Sequence, residues 1–155
     1  MHRDIKPANV LVGNKNAVKI IDLGFASKIT KEDERNHETR VGTPLYMSPE
    51  LLAHEKYNSK SDIWSLGVML FEMVYGVVPF PGREEEDILG RIRKGKRTPV
   101  TDIEISDDAK WLIEGCLRVG VKERMEWREL WEWKRQRGMP DVRMEGTKNS
   151  KWCMC

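Results

Sequence analysis

His2-Arg3-Asp4-Ile5-Lys6-Pro7-Ala8-Asn9 sets a carboxylate, an ammonium and a carboxamide at positions 4, 6 and 9 of one short loop. Moving a phosphoryl group onto a hydroxyl asks little covalent chemistry of a protein. It asks for a positioned acceptor and for charge neutralised around the migrating group. Asp4 suits acceptance of the hydroxyl proton, Lys6 suits a phosphate oxygen, and the side-chain oxygen of Asn9 suits a hard cation such as magnesium.

Outward from this loop, Asn9-Val10-Leu11-Val12 and Val18-Lys19-Ile20-Ile21 flank Gly13-Asn14-Lys15-Asn16, a spacing that predicts a tight hairpin. Such a hairpin returns the chain so that Asp22 arrives beside Asn9, bringing two oxygen ligands to one metal. Alone, Asp22-Leu23-Gly24 is an ordinary turn signal, and only its place after the hairpin gives it weight. Gly42-Thr43-Pro44-Leu45-Tyr46-Met47-Ser48-Pro49-Glu50 follows, then Asp62-Ile63-Trp64-Ser65-Leu66-Gly67, Gly76-Val77-Val78-Pro79-Phe80 and, late in the chain, Arg124. Each stretch alone has a plain structural reading. Their common order makes independent coincidence negligible.

The series resembles the eukaryotic protein kinases of the serine/threonine type, beginning at their H-R-D-x-x-x-x-N catalytic loop. Residues 1–135 are read as a partial kinase domain and 136–155 as a basic, flexible tail. The resemblance implies an α+β fold: a mostly helical C-terminal lobe carrying a small β-hairpin. It implies ATP and Mg2+ as cofactors, with Asp4 as base, Lys6, Asn9, Leu11 and Asp22 at nucleotide-binding positions, and Asn9 and Asp22 as the metal ligands. It further implies that the Thr43 hydroxyl bridges Asp4 and Lys6, that His2 and Asp62 are structural, and that Arg124 pairs with Glu50. Leu23 takes the apolar slot that Phe usually fills, and Gly120-Val121 stands where an Asp-Pro pair is common.

Lys6 with Thr43 points to Ser or Thr hydroxyls of protein substrates. The resemblance further implies that Val41, Pro44 and Leu45 would line the pocket for the residue after the acceptor, where an apolar residue is expected. Glu72 matches the position that reads arginine in basophilic relatives, but Ala8 replaces the second carboxylate, which argues against a strong arginine requirement. Arg3 marks the type of kinase whose activation segment is held by a phosphate, with Thr39 at the modified position and a very polar run, 31–38, before it. Among kinases, Tyr57-Asn58-Ser59-Lys60-Ser61-Asp62 and Arg124-Met125-Glu126-Trp127-Arg128-Glu129-Leu130 are similar to the autophagy-initiating and Fused-type groups, with NIMA-related kinases close behind.

Apolar spacing and flanking breakers predict helices over 60–75, 84–94, 106–117 and 124–136. Ser106 before Asp107-Asp108 is a helix start, the hydroxyl capping free N–H groups and the acids complementing the dipole. The first of these helices is apolar nearly all round and is expected to be buried on every side. Trp127, Leu130, Trp131 and Trp133 predict a final amphipathic helix against the lobe.

With 155 residues, a net charge of +2 and 39% apolar residues, the composition is that of one soluble domain. No run is apolar and long enough for a transmembrane segment, no signal-peptide pattern opens the chain, and the balanced charge offers nothing to nucleic acid. Three cysteines make no secreted disulfide framework, so a cytoplasmic or nuclear location is expected; Cys153-Met154-Cys155 also resembles the Cys-x-Cys ends of some lipidated proteins. The oligomeric state is not legible.

The Gly-rich loop, strand lysine, glutamate partner and hinge of a kinase would all lie upstream of Met1. The isolated chain is therefore expected to be inactive, and two readings compete. One is part of a serine/threonine kinase; the other is a catalytically dead, kinase-derived module that binds substrates or a kinase partner.

Overall fold

The computed structural model describes residues 1–14, 17–28, 40–100 and 103–139. Two strands, β1 (Val10–Val12) and β2 (Val18–Ile20), precede five helices: α1 (Pro49–Leu52), α2 (Lys60–Tyr75), α3 (Glu85–Arg93), α4 (Asp107–Cys116) and α5 (Trp127–Gln136). The strands pair antiparallel with Val10 opposite Ile20, Leu11 opposite Lys19 and Val12 opposite Val18. The result is the α+β, mostly helical arrangement that the motif order implies. Short 3-10 turns at Pro7–Asn9 and Pro44–Tyr46 each begin with a proline, whose fixed φ suits the first position of a turn of helix.

The core forms around α2. Trp64, Val68 and Phe71 pack with Met47, Leu51, Tyr57, Phe80, Ile88, Ile92, Ile113 and Leu117. Each such fully buried side chain contributes about 1.5–3 kcal/mol relative to exposure. Trp64 stacks on Phe80 with ring centroids 5.8 Å apart, which fixes the loop after α2 against the helix. On the other side of α2, Ile63 joins Cys116 and Met125, with Leu112 and Leu130 packed against them. Close approach of α2 and α4 depends on Gly67, where an added Cβ would lie 2.6 Å from Cβ of Cys116.

Local chemistry sets the helix ends. α2 stops at Gly76, whose φ of 72° is the left-handed cap conformation that glycine adopts without strain, and its N–H returns to the Glu72 carbonyl at 2.8 Å. The first turn of α3 carries Glu85, Glu86 and Asp87 and its last turn Arg91 and Arg93, charges that complement the helix dipole, while Ile88 and Ile92 bury one face at i, i+4 spacing. At α4, the Ser106 hydroxyl accepts the Ala109 N–H at 3.2 Å.

Three expectations are corrected. The end of α2 is not enclosed: Met73 is 70% exposed, because no described element packs on that side of its last turns. Leu23 is 65% exposed, since no apolar neighbour among the described residues covers it, so it fills no slot here. The last helix starts at Trp127 rather than 124, because Arg124 is drawn into a buried ion pair and the Glu126 N–H is capped by the Glu129 carboxylate at 2.7 Å. Of the α5 apolar side chains, Leu130 reaches the core and Trp133 stacks on Trp111, but Trp127 and Trp131 stay exposed.

Candidate functional site

The loop after Met1 is fixed by one buried carboxylate. Asp62, in the first turn of α2, accepts the backbone N–H groups of His2 at 2.7 Å and Arg3 at 2.8 Å. These two bonds hold Arg3 at a φ of 71°, a left-handed conformation that a non-glycine residue keeps only when its surroundings over-determine it. His2 adds a second brace: its Nδ1 accepts the Asp4 N–H at 3.3 Å and its Nε2 meets the Ile21 carbonyl at 3.1 Å, a combination that requires the neutral tautomer protonated on Nε2. Loop and hairpin are thereby locked together. Reciprocal backbone bonds between Met1 and Ser27, and the Arg3 Nε donating to the Phe25 carbonyl, tie in the segment beyond Asp22.

Around Asp4 the polar groups converge. Thr43 donates its hydroxyl to Asp4 Oδ1 at 2.9 Å and accepts from Lys6 Nζ at 2.7 Å, while the same ammonium lies 2.7 Å from Asp4 Oδ2. Asn9, buried, donates its amide to the Asp4 carbonyl at 2.9 Å and to Asp4 Oδ2 at 3.0 Å. Both bonds come from Nδ2, which turns the amide oxygen away from Asp4 and leaves it for a cation. Burial pushes the Asp4 carboxyl up, but the Lys6 and Thr43 hydrogen bonds, the Lys6 charge and the Asn9 amide outweigh that and hold it below its ordinary value. Asp4 is thus an ionised acceptor at neutral pH.

The Ile21 N–H donates to the Asn9 carbonyl at 2.9 Å, so Asp22 follows directly on the residue tied to Asn9. Asp22 is exposed, has a φ of 63° and accepts the Gly24 N–H at 3.2 Å. Leu11 lies exposed on β1. Thr39 lies outside the described residues, as do His37, Cys153 and Cys155.

The segment that carries Thr43 is anchored from both sides. At Gly42, φ is 120° and an added Cβ would lie 2.6 Å from the Arg3 carbonyl oxygen, so only glycine lets this segment pass so close to the loop. Beyond it, Arg124 makes a two-pronged pair with Glu50, at 2.7 and 2.8 Å, and its remaining donors go to the carbonyls of Arg118, Val119 and Lys60. All five guanidinium N–H groups are thereby used, and the group also lies over the Trp64 ring at 5.1 Å. Burial raises the Glu50 carboxyl, but the Arg124 hydrogen bonds and charge more than reverse this and lower it.

The order and spacing of these residues find their counterpart in known proteins. The protein kinase domain family matches residues 1–134. The chain belongs to the protein kinase family. Relatives similar to this kinase chain include the G2-specific protein kinase nimA of Emericella nidulans, 40% identical over 80% of the chain and 17% of the relative. The human serine/threonine-protein kinase Nek2 is 47% identical over 62% of the chain and 21% of the relative. The serine/threonine-protein kinase ATG1a of Arabidopsis thaliana is 37% identical over 94% of the chain and 24% of the relative. This kinase chain thus spans about a fifth of the length of such relatives, and its kin are NIMA- and ATG1-like.

One contact escaped the sequence. The Tyr46 hydroxyl donates to Glu72 at 2.5 Å, and burial followed by the Glu72 carboxylate pushes the phenol up from its ordinary value. No spacing signal links residues 26 apart in different elements. The anchoring of the loop by Phe25 and Ser27 was equally invisible, because it runs through backbone carbonyls that any residue supplies.

Proposed function

We propose that this chain forms the acceptor-side part of a protein serine/threonine kinase, transferring the γ-phosphate of ATP to Ser and Thr hydroxyls of protein substrates. The observation that carries the reading is the Thr43 hydroxyl held between Lys6 Nζ and Asp4 Oδ1. Asp4, kept ionised, accepts the proton of the attacking hydroxyl. Lys6, fixed beside it, neutralises charge on the phosphoryl oxygens in flight. Thr43 couples the segment that receives the substrate to both groups, so acceptor and base move together.

The donor chemistry fits Mg2+. Asn9 offers an amide oxygen turned away from Asp4, and Asp22 offers an exposed carboxylate, both hard oxygens. When bound, the metal with ATP supplies the phosphoryl group and much of the charge compensation. Leu11, apolar and open on β1, supplies a surface for the nucleotide. Val41, Pro44 and Leu45 favour an apolar residue after the acceptor, and engagement of Glu72 by Tyr46 supports the absence of a strong arginine requirement.

Phosphorylation of matched peptides bearing Ser, Thr or Tyr by the full-length protein with Mg-ATP tests this. Transfer to Ser and Thr but not Tyr is expected; transfer to Tyr alone, or binding of peptide without any transfer, would overturn it in favour of another specificity or of a binding module.

A further inference from the structure

On the side of α4 and α5 remote from Asp4 in sequence, the two helices leave an open cleft of about 470 Å3. Its walls combine two features that serve no part of the chemistry above. One is aromatic: Trp111 and Trp133 stack with centroids 6.3 Å apart and an interplanar angle of 20°, and Trp111 keeps 42% of its surface open. The other is charge: Asp107, Asp108, Glu129 and Glu132 line the cleft with Arg137 as the one cation among the lining residues, while Arg128 pairs with Glu132 at 3.0 Å and one Glu129 oxygen accepts the Glu126 N–H. Among the described residues these carboxylates form no group fit to hold a metal ion.

Arg137 displays what such walls bind. Its guanidinium lies over the Trp133 ring at 4.7 Å and forms a two-pronged pair with Asp108, Nε donating at 2.6 Å. A flat cation that stacks on an indole while its edge meets a carboxylate is the arrangement guanidinium favours over ammonium. Asp107 repeats the carboxylate half of that seat along the cleft, Glu129 and Glu132 each offer the oxygen not engaged by the Glu126 N–H and by the exposed Arg128, and the open face of Trp111 repeats the aromatic half.

We propose that the α4–α5 cleft is a docking site for an arginine-bearing protein segment, with Trp111 and Trp133 as stacking faces and the four carboxylates as ion-pair partners. Charge complementarity selects the occupant: an acidic segment is repelled by these walls, and a neutral one meets only their aromatic half. In the free protein Arg137 holds Asp108 and Arg128 holds one oxygen of Glu132, so an incoming arginine either uses the carboxylate oxygens left open or displaces one of these two.

The test is fluorescence anisotropy of a fluorescein-labelled Gly-Arg-Gly-Arg-Gly peptide titrated with the full-length protein, beside its Lys counterpart. The Arg peptide should bind more tightly than the Lys peptide, and both should weaken as salt rises. Trp111→Ala should weaken the Arg peptide by about two- to five-fold, the contribution of one exposed cation–π contact. The pair Asp107→Asn with Glu132→Gln should weaken it further, whereas Glu86→Gln with Asp87→Asn on α3, an equal change of charge elsewhere, should not. Arg137→Ala should tighten it more than Arg91→Ala does, because only the former vacates a seat. Equal binding of Arg and Lys peptides, or equal loss from the α3 and cleft variants, would reduce the effect to bulk charge and overturn the proposal; so would the absence of binding. Circular dichroism of each variant separates lost binding from lost folding.

Discussion

Thr43 hydrogen-bonds to Asp4 across 2.9 Å although 39 residues separate them in the chain. The contact joins the segment that ends in Glu50 to the loop that begins at His2, and through Lys6 it makes three groups one unit. Replacing Thr43 with Ala removes the bridge without touching the base. The expected result, in the full-length protein, is a fall in kcat of roughly ten- to a hundred-fold, the scale of a small misplacement of reacting groups. Thr43→Ser keeps the hydroxyl and should restore most of the rate, and steady-state kinetics on a Ser peptide distinguishes the two.

Glu50 and Arg124 are both buried, and each satisfies the other. Truncating either strands a charge in the interior, so Glu50→Ala or Arg124→Ala should cost about 3–5 kcal/mol by urea denaturation. The double variant should cost less than the sum of the singles, since it leaves no uncompensated charge.

The same pair sets a direction for acid stability. The folded Glu50 carboxyl is depressed below its unfolded value, so its contribution is fully present above the ordinary glutamate range and is lost as pH falls through the lower, folded value. Asp4 is depressed too and acts in the same sense. Thermal melts from neutral pH down to acid should show a steeper fall in Tm for the native protein than for Glu50→Gln, which has no such proton to take up.

Asp62 holds two backbone N–H groups of the loop that carries Asp4, one of them on the strained Arg3. Asp62→Ala should cost about 1–3 kcal/mol for each donor left buried without a partner and should lower kcat more than KM for peptide. A loss confined to KM would assign Asp62 to substrate binding instead.

Gly67 is a packing prediction independent of chemistry. An alanine there meets Cβ of Cys116 at 2.6 Å and the Leu117 side chain at 3.0 Å, so α4 must move off α2. The expected cost is about 1–3 kcal/mol, as for other overpacked cores, read from denaturation midpoints.

What was legible in the sequence is what local chemistry dictates. Ser106 with its two following acids marked the start of α4, Gly76 the end of α2, and flanking breakers the extent of α3. The motif order also brought Asp4, Lys6, Asn9 and Thr43 into consideration as a set, and the structure assembles those four. What was not legible depends on which surfaces find a partner. Met73 and Leu23 are as apolar as Phe71, yet they lie exposed while Phe71 is buried, and no property of the residues themselves distinguishes them. Trp133 and Trp131 sit two positions apart on one amphipathic helix, and only the location of Trp111 decides which one stacks. The Tyr46 to Glu72 bond likewise follows from tertiary placement alone.

The most direct test of the central claim is the rate of phosphoryl transfer from Mg-ATP to a Ser peptide by the full-length protein and by its Asp4→Asn variant, with folding of both checked by thermal melts. If Asp4 is the base, the amide should preserve the fold while the rate falls by about two to four orders of magnitude. An Asp4→Asn protein that transfers phosphate at the parent rate would contradict the account.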